Sequence, residues 1–189
     1  MQRCGWCLGD PLYLDYHDNE WGVPQYDDEV LFEFLLLEGV QAGLSWITVL
    51  RKRENYRKAF EGFNAEKIAR YSDKKIEKLL QNPGIVRNRL KVNSAVNNAR
   101  RYLDVKNSHD SFSTYLWDMV DGRVQVNQFS SLAEVPATTP VSDLMSKRLK
   151  KDGFNFVGST ICYAFMQATG MVNDHLITCH RHQACIGLA

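Results

Sequence analysis

The chain has 189 residues, 44% of them hydrophobic and 24% charged, with a formal net charge of +1, the make-up of a globular protein long enough to bury a substantial core. No apolar run approaches the ~20 residues that a membrane span needs, and the amino-terminal stretch MQRCGWCLGD lacks the apolar segment of a secretory signal. Five cysteines, an odd number, point to a reducing cytoplasm, and a charge this close to zero confines any case for nucleic acid to local patches.

Residues 1–26 read as irregular, dense in aromatic and metal-binding side chains. A first helix is expected at about 28–38. Asp27 and Asp28 can cap and charge its start, Val30, Leu31, Phe32, Phe34, Leu35 and Leu37 make it apolar nearly all round, and Gly39 can end it. A second apolar helix is expected at about 44–60. Asn64 and Ser72 are N-cap candidates for two short helices, the second with Ile76, Leu79 and Leu80 at helical spacing and a break at Asn82-Pro83-Gly84. Val86 to Leu103 reads as a long amphipathic helix with Leu90, Val92, Ala95, Val96, Ala99 and Leu103 inward. An aromatic helix around Phe112 to Val120 turns at Asp121-Gly122 into a polar connector. Ser142 is placed as the cap of a helix to Lys151, Asp152-Gly153 as a turn, and Phe156 to Gly170 as an apolar helix. Strand signals are weak throughout, so the expected fold class is all-α.

Three constellations could carry chemistry. The stretch Leu37 to Leu50 sets the carboxylate of Glu38 in an apolar run, with Gly39 and Gly43 after it and the indole of Trp46 eight residues on. A buried carboxylate is costly unless something pairs with it, so this suits a pocket for a flat, hydrogen-bonding or cationic ligand. The competing reading is a cap or a partner for a surface arginine. Tyr16, beside a candidate metal ligand, could line the same pocket, whereas Trp21 is expected in the core.

The second constellation is Cys4 and His17 near the start with His175 and Cys179 near the end, the latter two spaced to share a helical turn. Two thiolates and two imidazoles make a closed tetrahedral zinc set that would tie the termini together. Cys4-x-x-Cys7, His180, His182 and Cys185 offer competing ligands. The third is Leu149 to Gln167, a basic helix end, a turn at Gly153, and Val157-Gly158 opening an apolar helix. Glycine there would let backbone N–H groups approach a DNA phosphate, with Lys147, Arg148, Lys150 and Lys151 supplying sequence-independent charge; the competing reading is an ordinary helical hairpin whose basic face is solvated. Pro83 to Val86 is a second hairpin candidate, ranked as a packing turn.

These motifs together resemble a known family. Cys4-Gly5-Trp6, Tyr16 to Pro24 (YHDNEWGVP), Leu37-Glu38-Gly39, Gln41 to Trp46 (QAGLSW), Phe156-Val157-Gly158 and Asn173-Asp174-His175 look like bacterial 3-methyladenine DNA glycosylases I, over nearly the whole chain. The resemblance implies a helix–hairpin–helix DNA glycosylase fold as one domain over 1–189 in two helical lobes. Terminal segments of about 1–26 and 171–185 would be joined by one structural zinc at Cys4, His17, His175 and Cys179, with the hairpin at about 147–167. It implies a monomer acting on alkylated double-stranded DNA, with Glu38 recognising the base, Tyr16 and Trp46 stacking on it, and Trp6 and Tyr13 nearby. Leu44, beside Gly43, would be the wedge entering the duplex, and Gly153, Gly158 and Lys151 would meet the backbone. Superfamily relatives hold a catalytic Asp near Asn173-Asp174. The resemblance puts Asn173 at that place, so water is expected to attack with little side-chain help. Strand-cleaving relatives carry a Lys where this chain has Ser159-Thr160, so no lyase activity is expected.

Overall fold

The computed structural model describes residues 1–188 and is mostly helical. A 3₁₀ turn, Gly5–Cys7, leads into α1 (Pro11–Asn19), α2 (Asp28–Gln41), α3 (Trp46–Leu50), α4 (Arg53–Ala59), α5 (Ala65–Ile68), α6 (Asp73–Leu80) and α7 (Arg89–Ser108). Then come α8 (Phe112–Trp117), α9 (Pro140–Lys151), α10 (Ser159–Ala168) and α11 (His180–Ile186). A two-residue parallel pair, β1 (Gln125–Val126) with β2 (Val172–Asn173), joins the connector to the carboxy-terminal segment. It is too short to leave an alternating pattern in the sequence. No helix among the described residues is long and apolar enough to cross a membrane.

The all-round apolar character of α2 is explained by its place. It packs against α3, α7, α8 and α10, and Leu31, Phe32, Phe34, Leu35, Leu36 and Leu37 are all buried. Asp27 caps it, accepting from the N–H groups of Glu29 and Val30 at 2.9 and 3.0 Å. Gly39 does not end it. The helix runs on to Gln41, and Gly39 instead permits a close approach, since a Cβ there would stand 3.2 Å from Phe156 Cβ. The reversal falls at Gly43, at φ +76°.

Asn64, Ser72 and Asn88 cap α5, α6 and α7 with side-chain bonds to backbone N–H groups. The expected 44–60 helix is divided by a turn at Arg51-Lys52. Leu90, expected inward, is 69% exposed. At about 100° per residue it lies roughly 160° round the helix from Val92, so a face built on Val92, Val96 and Ala99 turns it to solvent. Ser142 is not the N-cap of α9. Thr139 is, and Ser142 is the reciprocal partner of a capping box. The apolar helix begins at Ser159 rather than Phe156, which sits at φ +55° in the turn before it, and α11 carries no signal strong enough to anticipate.

The amino-terminal segment after α1 docks on the end of α10, where Gly22 donates to Gln167 O and Gln25 to Thr169 O. Gly170 makes this possible. It lies at φ +70°, and a Cβ would stand 2.4 Å from Pro24 N and from Val23 C. Gly170→Ala should therefore cost about 2–4 kcal/mol in urea unfolding, combining left-handed strain with a backbone clash. An unchanged midpoint would refute this packing.

Candidate active site and metal centre

The amino-terminal third builds most of the wall of one cavity of about 320 Å³, completed by residues of the connector, α10 and the carboxy-terminal segment. Asp10 caps α1, with Pro11 at its first position, and α1 then presents Tyr13, Tyr16 and His17 at i, i+3 and i+4. The 3₁₀ turn supplies Trp6, the last turn of α2 supplies Glu38, and the start of α3 supplies Trp46. All five expected pocket residues (Trp6, Tyr13, Tyr16, Glu38, Trp46) line the cavity. The Tyr16 and Trp46 rings lie 5.5 Å apart at 44°, and Trp6 meets Tyr13 edge-on at 4.9 Å. Trp21, expected in the core, packs edge-on to Trp6 at 5.0 Å and also reaches the cavity.

Glu38 is 3% exposed, and burial pushes its carboxyl up to about 8. Among the described residues its Oε2 has no hydrogen-bond partner, and neither does Trp46 Nε1. One acceptor and one donor thus stand unsatisfied on the same cavity, although buried polar groups are normally paired. A planar ligand offering a donor or a positive charge to Glu38 and an acceptor to Trp46 Nε1 would satisfy both.

Two polar liners escaped the sequence reading. Gln41 could have been found, because it is three residues from Glu38 on the same helical face. Gln167 arrives from a distant segment with no local signal, and Asp174, named in the sequence only beside the doubtful catalytic position, also lines the cavity. Asp174 is buried, and its carboxylate accepts from Asn127 Nδ2 at 2.7 Å, Tyr163 OH at 2.5 Å and Gln167 Nε2 at 2.8 Å. Asn173 does not line the cavity. It donates to His182 O and accepts from His175 N, bracing the carboxy-terminal segment.

The second group lies directly behind. The ligand atoms of Cys4, His17, His175 and Cys179, all buried, lie within 4.8 Å of one another. Cys179 Sγ is 3.4 Å from His17 Nε2 and 3.6 Å from His175 Nδ1, and Cys4 Sγ is 3.8 Å from His175 Nδ1. A tetrahedral ion with zinc–ligand distances of roughly 2.3 and 2.0–2.1 Å needs S···N edges of about 3.5 Å, so the donor set fits. The far ring nitrogens are already engaged, His17 Nδ1 with Asp18 Oδ1 at 2.7 Å and His175 Nε2 with Trp21 O at 3.0 Å, which aims the other nitrogen of each inward. Burial also lowers the His175 imidazole to about 3, keeping it neutral and its lone pair free.

The competing ligands go elsewhere. The Cys7 thiol donates to Cys4 O, His180 Nδ1 meets Gln2 O, His182 Nε2 meets Asn127 O, and Cys185 lies against Arg181. The stretch between His175 and Cys179 is a turn rather than the expected helical one, and it still brings both side chains to one side.

A cleft beside the cavity is lined by Glu38, Gln41, Ala42, Gly43, Leu44, Thr160, Ile161 and Ala164, and Leu44 is 38% exposed at its rim. Beyond it α9 and α10 form a helical hairpin. Gly153, at φ +85°, makes the turn, Gly158 is the residue before α10 with open space around it, and Lys151 is exposed at the end of α9. Glu38, Leu44 and α10 therefore share one side of the molecule, whereas the Pro83 to Val86 turn is a packing turn, its Val86 N–H donating to Tyr56 OH.

The family described as methyladenine glycosylase matches residues 6–182. The chain is 52% identical over 179 residues to DNA-3-methyladenine glycosylase 1 of Escherichia coli, covering 95% of this chain and 96% of that one. It superposes on a crystal structure of a 3-methyladenine DNA glycosylase I with a TM-score of 0.93 at 54% identity, covering 95% and 98% of the two chains. A Staphylococcus aureus 3-methyladenine DNA glycosylase I, whose structure addresses 3-methyladenine recognition, superposes with a TM-score of 0.92 at 38% identity over 95% of this chain and 96% of that one.

Proposed function

The chain belongs to the methyladenine glycosylase family, and we propose that it excises 3-methyladenine from alkylated double-stranded DNA by hydrolysis of the N-glycosidic bond. The observation that carries this reading is the buried carboxylate of Glu38, one oxygen of which has no partner among the described residues, inside a wall of rings. An adenine methylated at N3 is a cation while attached to the sugar. Its electron-poor ring favours the faces of Tyr16 and Trp46, worth roughly 0.5–2 kcal/mol by cation–π attraction and roughly 1–3 kcal/mol per base by stacking. Glu38, ionised against that charge, accepts hydrogen bonds from the exocyclic amine and the ring edge. Normal adenine is neutral and leaves the carboxylate uncompensated, so selection rests on charge rather than size.

Reaching the base requires flipping the nucleotide, at a cost of a few kcal/mol. Leu44, on the turn that Gly43 allows, fills the space left in the stack, while Trp6 and Tyr13 close the pocket. The α9–α10 pair acts as a helix–hairpin–helix, with Gly153 and Gly158 letting backbone N–H groups approach a phosphate and Lys151 adding charge. The bond between the sugar and the purine nitrogen breaks with its electron pair going to the base, which departs neutral. Water adds to the resulting sugar cation and loses a proton. Little acid catalysis is needed, and Asp174, whose oxygens are taken by Asn127, Tyr163 and Gln167, serves the wall rather than the water. Cys4, His17, His175 and Cys179 hold one structural zinc, whose chemistry is to stabilise two thiolates and lock the termini.

Incubation with methylated duplex DNA and identification of the released base tests the reading. Free 3-methyladenine and an intact abasic strand are expected. With Ser159-Thr160 where strand-cleaving enzymes place a lysine, borohydride should trap no protein–DNA adduct. DNA binding without base release would make the chain a zinc-stabilised binding module instead, and a trapped Schiff base would refute the monofunctional mechanism.

A further inference from the structure

Among the described residues Lys91 is a buried cation with no carboxylate beside it. It is 9% exposed, and its Nζ donates to Val40 O at 2.7 Å and Ala42 O at 2.6 Å. These are orphan carbonyls at the end of α2, where the helix dipole is negative. Glycine commonly caps such an end without the cost of burying an ammonium. What the lysine adds is a tether from α7 to the residues lying between Glu38 and Leu44.

The same face of α7 holds a second element. Seven residues on, Asn98 donates through Nδ2 to Asn155 O at 2.9 Å and accepts from Asn155 N at 2.8 Å, and Asn97 donates to Gly153 O at 2.8 Å. Between them Ser94 donates to Lys91 O at 2.8 Å. One rigid helix thus grips both the loop bearing Leu44 and the turn of the α9–α10 hairpin, fixing the spacing between them.

We propose that Lys91 is a positioning residue for base extrusion, holding the Leu44 loop at a set height above the hairpin while making no contact with the base itself. This rests on the reading of Leu44 as the wedge. A loose loop would still allow an already unstacked base into the pocket but would fail to hold a duplex open. The penalty therefore falls on duplex DNA, whereas a merely structural loss would lower activity on every substrate alike.

The test compares wild type, Lys91→Met, Leu44→Ala and the double variant on a 3-methyladenine duplex and on the same strand alone. Lys91→Met is expected to lower kcat/KM on the duplex about 10- to 100-fold, the scale of a charge-assisted hydrogen bond, and on the single strand by under about threefold. In the Leu44→Ala background the same change should add little, because both act through one loop. Equal losses on both substrates, or additive losses on the duplex, would overturn the proposal. Should Lys91→Met not fold, Lys91→Gln, which keeps one donor without the charge, is judged by the same ratio. A wild-type chain inactive on both substrates would instead refute the glycosylase reading, and the proposal with it.

Discussion

Glu38→Gln should lower excision of 3-methyladenine by about 10²–10³-fold, the usual loss when one preorganised electrostatic partner is removed from a dry site. The amide keeps the shape and one acceptor but cannot answer the charge of the lesion. The same substitution should reveal what the carboxylate costs the fold. With its carboxyl held at about 8, Glu38 keeps its proton in the folded chain while the unfolded chain loses it above its ordinary value near 4.5. The folded state then binds more protons, so the wild type loses stability as pH rises between those values, by up to about 1.4 kcal/mol per pH unit, and levels off above pH 8. Glu38→Gln removes that slope and should be the more stable protein at pH 8 and no more stable at pH 4. Wild-type kcat/KM should climb with pH, half-maximal near 8 and level only above it, reporting the free enzyme's carboxylate, and the variant should lack the climb. Parallel urea titrations of both proteins at pH 4 and 8 decide the first point. Coincident stabilities at pH 8 would mean that the carboxylate is solvated or paired.

Cys179→Ala should release the metal and cost on the order of 5 kcal/mol or more of folding stability, because binding energy at a closed site is folding energy. Metal analysis of the wild type should find one zinc per chain, and the variant none, with a lowered unfolding midpoint that added zinc does not restore. Excision should fall as well. Trp6 lies two residues from Cys4, and Tyr16 adjoins His17, so an ion held there would set the direction of two cavity walls. A variant that kept both the zinc and the midpoint would exclude these four residues as the ligand set. Removing Cys7, whose thiol only donates to Cys4 O, should leave zinc content unchanged.

Much of this was legible in the sequence because it depends on near neighbours. The caps at Asp27, Asn64 and Ser72 are decided by a side chain and an N–H two or three residues away, and the apolar surface of α2 by its own residues. Five residues that line the cavity and the four Cys and His residues that cluster behind it could be named from short motifs. Errors arose where a local rule met a distant partner. Gly39 has the look of a helix stop, yet Lys91 holds the carbonyls beyond it and Phe156 needs the space it leaves. The Ser142 error is local: Ser142 has the look of a cap, but Thr139 one turn earlier takes that place and Ser142 answers it in the capping box.

What the sequence indicated by itself, then, was most of the helical segments, though not α1 or α11, and which side chains suit a base and a metal. Only the folded chain decided that Glu38 stands buried with an oxygen unanswered, that Gln167 and Asp174 share its cavity, and that one helix grips both the loop of Leu44 and the hairpin turn. The reason is the range of the forces. Helices and caps close hydrogen bonds over a few residues, whereas the exclusion of water from a carboxylate is a sum over segments more than a hundred residues apart.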